Sequence, residues 1–177
     1  MTEHLSLTPR VKGAHAFATA AHMGQERFTG ENYITHPEAV AEIVYQAFGH
    51  EAMIESLLIL ALLHDVLEDQ GEHIFLEELQ VVDGFSYKLV LEKDVGMIKL
   101  ASEVLLRRDE MGALWALTKG SKEPYDQYVD RCLGNALARK IKWADTTHNR
   151  STLPEGHSLF ARYNKTLARL DEVLSDE

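Results

Sequence analysis

The chain of 177 residues has a single cysteine, Cys132, so neither a disulfide framework nor a Cys-rich zinc site can be built from it. One thiol fits a reducing compartment and reads as an ordinary core or surface residue. Long apolar runs are also missing. The longest, Leu57 to Leu63, is far short of the ~20 residues that span a bilayer, and Met1 to Arg10 lacks the apolar stretch of a leader. A soluble, cytoplasmic protein is therefore expected, with no membrane partner. Positive charge is in deficit, with 18 Lys and Arg against 28 Asp and Glu and a net charge of -10. Phosphate backbones are held by a surplus of Lys and Arg, so general binding to nucleic acid is excluded as an expectation. A small anionic substrate stays compatible if the basic residues are gathered locally. No internal repeat, low-complexity segment or Val/Ile/Thr alternation of strand length stands out, and the length suits one domain over residues 1–177.

What is present is helical periodicity. Thr8-Pro9 reads as an N-cap followed by proline at the first helical position, and Val11, Ala14, Phe17, Ala18 and Ala21 repeat at helical spacing. A helix over 9–23 is predicted, then a glycine-flanked loop from Met23 to Tyr33 that carries Gln25 and Arg27. Thr35-His36-Pro37-Glu38 opens a second helix, which places His36 at a helix end. Further helices are expected over 51–69, 72–80, 85–107 with a break near Gly96, from Asp109 as cap to Leu117, from Pro124 to 134, over 135–150 and over 159–174. The predicted fold is all-α, an irregular multi-helix bundle.

The stretch from Leu57 to Asp69 organises the rest. Its first seven residues are apolar all round, so as a helix it must run through the middle of the domain. It ends in His64, Asp65, Glu68 and Asp69, which at ~100° per residue share one side. Ionised carboxylates in a low-dielectric site need a cation. With nine histidines in the chain, a His-Asp doublet by itself is better explained as a core pair that satisfies itself. The metal reading gains from two further elements. His36 is one. The other is the helix over 135–150, on which Asp145 and Asn149 share a face with Lys142 and His148 nearby. Two imidazoles and two carboxylates, His36, His64, Asp65 and Asp145, make a mixed N/O set for an octahedral ion with open positions, so manganese, iron or magnesium fits better than structural zinc. Lys140, Lys142, His148 and Arg150 read as a local basic cluster able to receive phosphates. His4, His50, His73 and His157 read as loop or solvated residues.

These residues carry a resemblance. His36, the His64-Asp65 doublet and Asp145 resemble the H…HD…D signature of HD-domain metal-dependent phosphohydrolases. The flanks narrow it: His22-x-Gly24-Gln25-x-Arg27 through His36-Pro37, then Ala61 to Asp69, then Lys142-x-x-Asp145-x-x-x-Asn149 are similar to the hydrolase domain of RelA/SpoT homologues and small alarmone hydrolases. The match reaches from about His15 to Thr152 and is weak through 72–118. It implies an HD-type bundle that removes the 3′-pyrophosphate of guanosine tetra- or pentaphosphate using a divalent metal, Mn²⁺ first, with Fe²⁺ and Mg²⁺ as alternatives. It implies His36, His64, Asp65 and Asp145 as ligands, Glu68 and Asp69 as the water-activating acids, Arg27 on the guanine side, and Asn149 and Thr152 on the nucleotide. Lacking synthetase or regulatory regions after it, the chain reads as a stand-alone hydrolase, with a homo-oligomer left open. Phe28 departs from the family, which commonly has a second basic residue there, as does Arg150, where an apolar residue is usual. The alternative reading is another HD nucleotide phosphohydrolase, acting on a nucleoside mono- or triphosphate or on NADPH. A binding module without catalysis is disfavoured, because it has no use for the Glu68-Asp69 pair.

Overall fold

In the computed structural model residues 8–79 and 85–176 are described; His4, read as solvated, and Gln80, the expected end of the short helix over 72–80, lie outside them. Helix α3 (Ile54–Leu63) is the axis of the fold, with every side chain from Ser56 to Leu63 buried. A helix without a polar face has to be surrounded. Around it pack α1 (Pro9–Ala21), α2 (Thr35–Phe48), α5 (Arg108–Leu117) and α7 (Ala136–Ser151). The other α-helices among the described residues are α4 (Val66–Gln70), α6 (Tyr125–Leu133) and α8 (Leu159–Ser175), the last packed along α7. Among the described residues no helix is long and apolar enough to cross a membrane.

Local signals set several helix ends. Thr8 Oγ1 accepts from the Val11 amide at 3.2 Å with Pro9 leading α1, and Asn135 Oδ1 accepts from the Leu137 and Ala138 amides at 3.0 and 2.9 Å to start α7. Asp109 is not the cap of α5. The fully buried Glu110 instead accepts from the Arg107 amide at 2.8 Å and from Ser56 Oγ at 2.7 Å, and it pairs with Arg10. A carboxylate survives burial only when its oxygens are occupied in this way, so this knot ties α1, α3 and α5 together.

Within the segments read as helices over 72–80 and 85–107, the described residues form, after a 3₁₀ turn at Gly71–His73, three antiparallel strands, β1 (Ile74–Glu78), β2 (Phe85–Val95) and β3 (Ile98–Arg107), in the order β1-β2-β3. The protein is helix-rich with a small sheet and is not all-α. The segment is rich in Leu, Glu and Lys, which favour helix, and local propensity yielded to cross-strand pairing and burial. Leu89 and Leu91 on β2 and Val104 and Leu106 on β3 are buried on one face, and Leu89 sits opposite Val104. That face covers α1. Gly96, read as a helix break, is the first residue of the two-residue turn between Val95 and Ile98. Its φ of +61° suits a hairpin turn that needs glycine there.

The central helix, expected to run to Asp69, does not do so unbroken. It stops at Leu63 and resumes at Val66, leaving His64 and Asp65 at the junction. His64 Nδ1 donates to the Ala61 carbonyl at 2.8 Å, the acceptor that the Asp65 amide would use in a continuous helix.

Candidate active site

Because α2, α3 and α7 pack together, they bring His36, the 64–65 junction and Asp145 to one place. His36 Nε2 lies 3.2 Å from His64 Nε2, 3.4 Å from Asp65 Oδ2 and 3.3 Å from Asp145 Oδ1. His64 Nε2 lies 3.2 Å from Asp65 Oδ2 and 3.7 Å from Asp145 Oδ1. For bonds of ~2.1 Å, ligands of one ion stand ~3.0 Å apart when cis on an octahedron and ~3.4 Å on a tetrahedron. The four atoms are thus spaced to share a cation. His36, His64 and Asp65 form the tightest group, all within 4.8 Å of one another, and Asp145 closes the set from the imidazole side.

Outer partners aim each donor. With Nδ1 committed to Ala61, His64 turns Nε2 inward. His36 Nδ1 is 2.7 Å from His148 Nδ1, and Arg27 Nη1 approaches the same atom at 3.4 Å. Burial, with His36 and Arg27 beside it, pushes the His148 pKa down to about 4, so His148 is neutral and accepts. His36 then carries its proton on Nδ1 and presents the Nε2 lone pair to the centre. Asp145 is held on both oxygens, Oδ2 by Lys142 Nζ at 2.8 Å and Oδ1 by Asn149 Nδ2 at 2.5 Å. The buried Lys142 ammonium also lies 4.8 Å and 5.8 Å from the ring centres of Tyr128 and Tyr125. Tyr33 OH donates to Asp65 Oδ2 at 2.7 Å.

Burial opposes charge on every one of these groups, but opposite charges prevail. Asp145, beside Lys142 and the imidazoles, and Asp65, beside His64 and His36, are held well below the carboxylate range. Asp65 and Asp145 in turn raise His36 and raise His64 well above the usual imidazole value. Ionised carboxylates beside proton-drawing imidazoles are a donor set that a divalent cation can enter by displacing protons, so the residues fit a metal.

The centre opens into a cleft of about 470 Å³. Glu68 and Asp69 line it. Glu68 is solvent-accessible yet walled in; its Oε2 accepts from the Lys119 amide at 3.1 Å. Desolvation and the neighbouring Asp65 and Asp69 charges raise its pKa. Asp69 Oδ2 accepts from Gln25 Nε2 at 2.7 Å. Arg27, Lys142, Asn149 and Thr152 also line the cleft, with Arg27 Nη2 3.5 Å from Thr152 Oγ1. Phe28, 71% exposed, stands at the wall in place of a second basic residue.

The expected basic cluster does not gather over the cleft. Lys140 is paired with Glu51 at 2.7 Å, Arg150 lies over the Phe160 ring, Lys142 holds Asp145, and His148 backs His36. Side chains close in a helical sequence point ~100° apart, so proximity in the chain did not make a common face. Lys119, Tyr125 and Tyr163 also line the cleft, as does His157, which the sequence places among the solvated histidines. No local pattern marks Lys119 or the two tyrosines, and His157 sits in a break that reads as solvated.

The family profile described as HD domain matches residues 33–150, which contain every candidate ligand. The chain is 34% identical over 144 residues to the bifunctional (p)ppGpp synthase/hydrolase SpoT of Escherichia coli, covering 81% of this chain and 18% of that protein. It is 36% identical over 137 residues to a guanosine-3′,5′-bis(diphosphate) 3′-pyrophosphohydrolase of Haemophilus influenzae, covering 77% and 17%. Over 58 residues it is 43% identical to the bifunctional (p)ppGpp synthase/hydrolase RelA of Mycobacterium tuberculosis, covering 33% of this chain and 7% of that one. The chain therefore spans less than a fifth of the length of these relatives.

Proposed function

Because the chain belongs to the HD-domain family, we propose that its cleft is a metal-dependent phosphohydrolase site that removes the 3′-pyrophosphate of guanosine tetra- or pentaphosphate. The observation that carries this reading is the convergence of His36, His64, Asp65 and Asp145 beside Glu68 and Asp69 in one cleft. The names of relatives at 34% and 36% identity supply the substrate.

His36, His64, Asp65 and Asp145 would hold the metal, with Mn²⁺ expected first and Fe²⁺ or Mg²⁺ as alternatives. When bound, such an ion lowers the pKa of water toward ~7 and offsets phosphoryl charge. Glu68 takes the proton of the attacking water. Its raised pKa brings it nearer the operating pH, where a general base works best. Asp69, fixed by Gln25, orients the same water. Arg27 lies against the base, Asn149 and Thr152 meet the nucleotide from α7 and its end, and Lys142 keeps Asp145 aimed at the imidazoles. His148 contributes through His36 and not by receiving phosphate.

A second reading is favoured by Phe28: an exposed ring in place of a cation suits a nucleotide with fewer phosphates, or NADPH. The deciding experiment incubates the protein and Mn²⁺ with ppGpp, NADPH, dNTPs and dNMPs and follows each product. Release of pyrophosphate from ppGpp, with the others slower, is expected. Turnover of another substrate with ppGpp left intact would replace the alarmone reading.

A further inference from the structure

A chain of hydrogen bonds runs from the sheet to the cleft. Lys93, on β2, donates to the Ala21 carbonyl at 2.8 Å, the Met23 carbonyl at 3.3 Å and Gln70 Oε1 at 2.8 Å. Gln70 Nε2 donates to Gln25 Oε1 at 2.9 Å, and Gln25 Nε2 donates to Asp69 Oδ2 at 2.7 Å. His22 Nδ1 reaches Gln25 Oε1 as well, at 2.8 Å.

The two ends dictate the direction of everything between them. An ammonium has only donors and a carboxylate only acceptors, whereas a primary amide offers either edge and can turn over. With Lys93 donating, Gln70 must give it the oxygen and turn its nitrogen to Gln25. Gln25 must then accept on its oxygen and turn its own nitrogen to Asp69. The same ammonium occupies two carbonyls at the C-terminal end of α1, where helix carbonyls lack partners and the dipole is negative. It thereby pins the segment from which Gln25 arises.

We propose that Lys93 is a positioning residue for the cleft: its ammonium sets the polarity of the Gln70–Gln25 pair and so keeps the Gln25 amide donating to Asp69. The sheet contributes to the site through this residue without lining it. The inference rests on the reading of Asp69 as an acid that orients the attacking water.

The test compares full-length, Mn²⁺-loaded wild type with Lys93→Met, Lys93→Arg and Gln70→Glu, each also in an Asp69→Asn background. Lys93→Met should lower kcat for ppGpp about tenfold, the scale of one lost charge-assisted bond, with KM and bound Mn²⁺ unchanged. Lys93→Arg should keep most of kcat. Gln70→Glu keeps a partner for Lys93, and hence the fold, but cannot donate to Gln25, so it should cost at least as much as Lys93→Met. Neither change should lower kcat further once Asp69 is Asn. Equal loss in both backgrounds, or wild-type kcat in Lys93→Met, overturns the proposal. The side-chain amide signal of Gln25 by NMR reads the same chain without substrate. It should be protected from exchange in wild type and exposed in Lys93→Met, and unchanged protection also overturns the proposal. If wild type leaves ppGpp intact, the functional reading fails, and the amide signal alone decides the role of Lys93.

Discussion

Replacing Asp145 by Asn separates the two duties of that carboxylate. Asp145 is paired with Lys142, a residue only 7% exposed whose ammonium has no other anionic partner within hydrogen-bonding distance among the described residues. Breaking a buried pair from one side costs ~3–5 kcal/mol, because the remaining charge stays buried. The Tyr128 and Tyr125 rings near Lys142 Nζ recover ~1 kcal/mol of this, leaving ~2–4 kcal/mol. For a chain of this size that is a fall in Tm of about 5–15 °C. The assay is thermal unfolding with EDTA present, so that metal binding does not enter, beside elemental analysis of protein refilled with Mn²⁺. Asp145→Asn should melt lower and hold less metal. Adding Lys142→Met removes the stranded ammonium and should restore most of the Tm while leaving metal binding impaired. The reasoning is refuted if Asp145→Asn melts within ~1 °C of wild type in EDTA, or if the double variant melts no higher than the single one.

Glu68→Gln should keep metal content and lower kcat ~10²-fold or more, since it removes the proton acceptor without changing shape; wild-type turnover would take Glu68 out of the mechanism. Metal affinity should depend on pH with a definite sign. The imidazoles of His36 and His64 hold protons to higher pH than usual, while Asp65 and Asp145 stay ionised, so affinity should fall as pH drops through the raised imidazole values. Calorimetric titration in buffers of different ionisation enthalpy should show protons released on binding, and an affinity that is flat from alkaline pH to below 6.5 would contradict this. Arg27→Ala should raise KM for ppGpp several-fold with less effect on kcat, and Phe28→Lys should lower it, one added charge at the cleft wall contributing ~1 kcal/mol. Phe28→Lys without effect on ppGpp, together with Arg27→Ala weakening all substrates equally, would mean that this loop does not read guanine.

The buried axis, the helix start at Thr8, and the candidate ligands were legible in the sequence because each rests on a local rule. A stretch apolar on every side must be central, a capping side chain marks its own helix end, and His and Asp cannot be buried at the end of such a stretch without partners. The sheet was not legible. Its alternation of Leu89 and Leu91 with Val104 and Leu106 becomes a signal only once two strands lie side by side, and residue by residue the segment favours helix. The helix break at His64 and the tautomer of His36 likewise depend on where a ring nitrogen finds its partner, at the Ala61 carbonyl and at His148, on α7, far along the chain. Charge was the most misleading quantity. Lys140, Lys142, His148 and Arg150 are neighbours in sequence, but α7 turns them toward Glu51, Asp145, His36 and Phe160. Sequence determines which groups are available. Which of them share a solvent-poor space, and therefore which pair, deprotonate or bind, is decided by packing, because electrostatic energy depends on distance and burial and not on position in the chain.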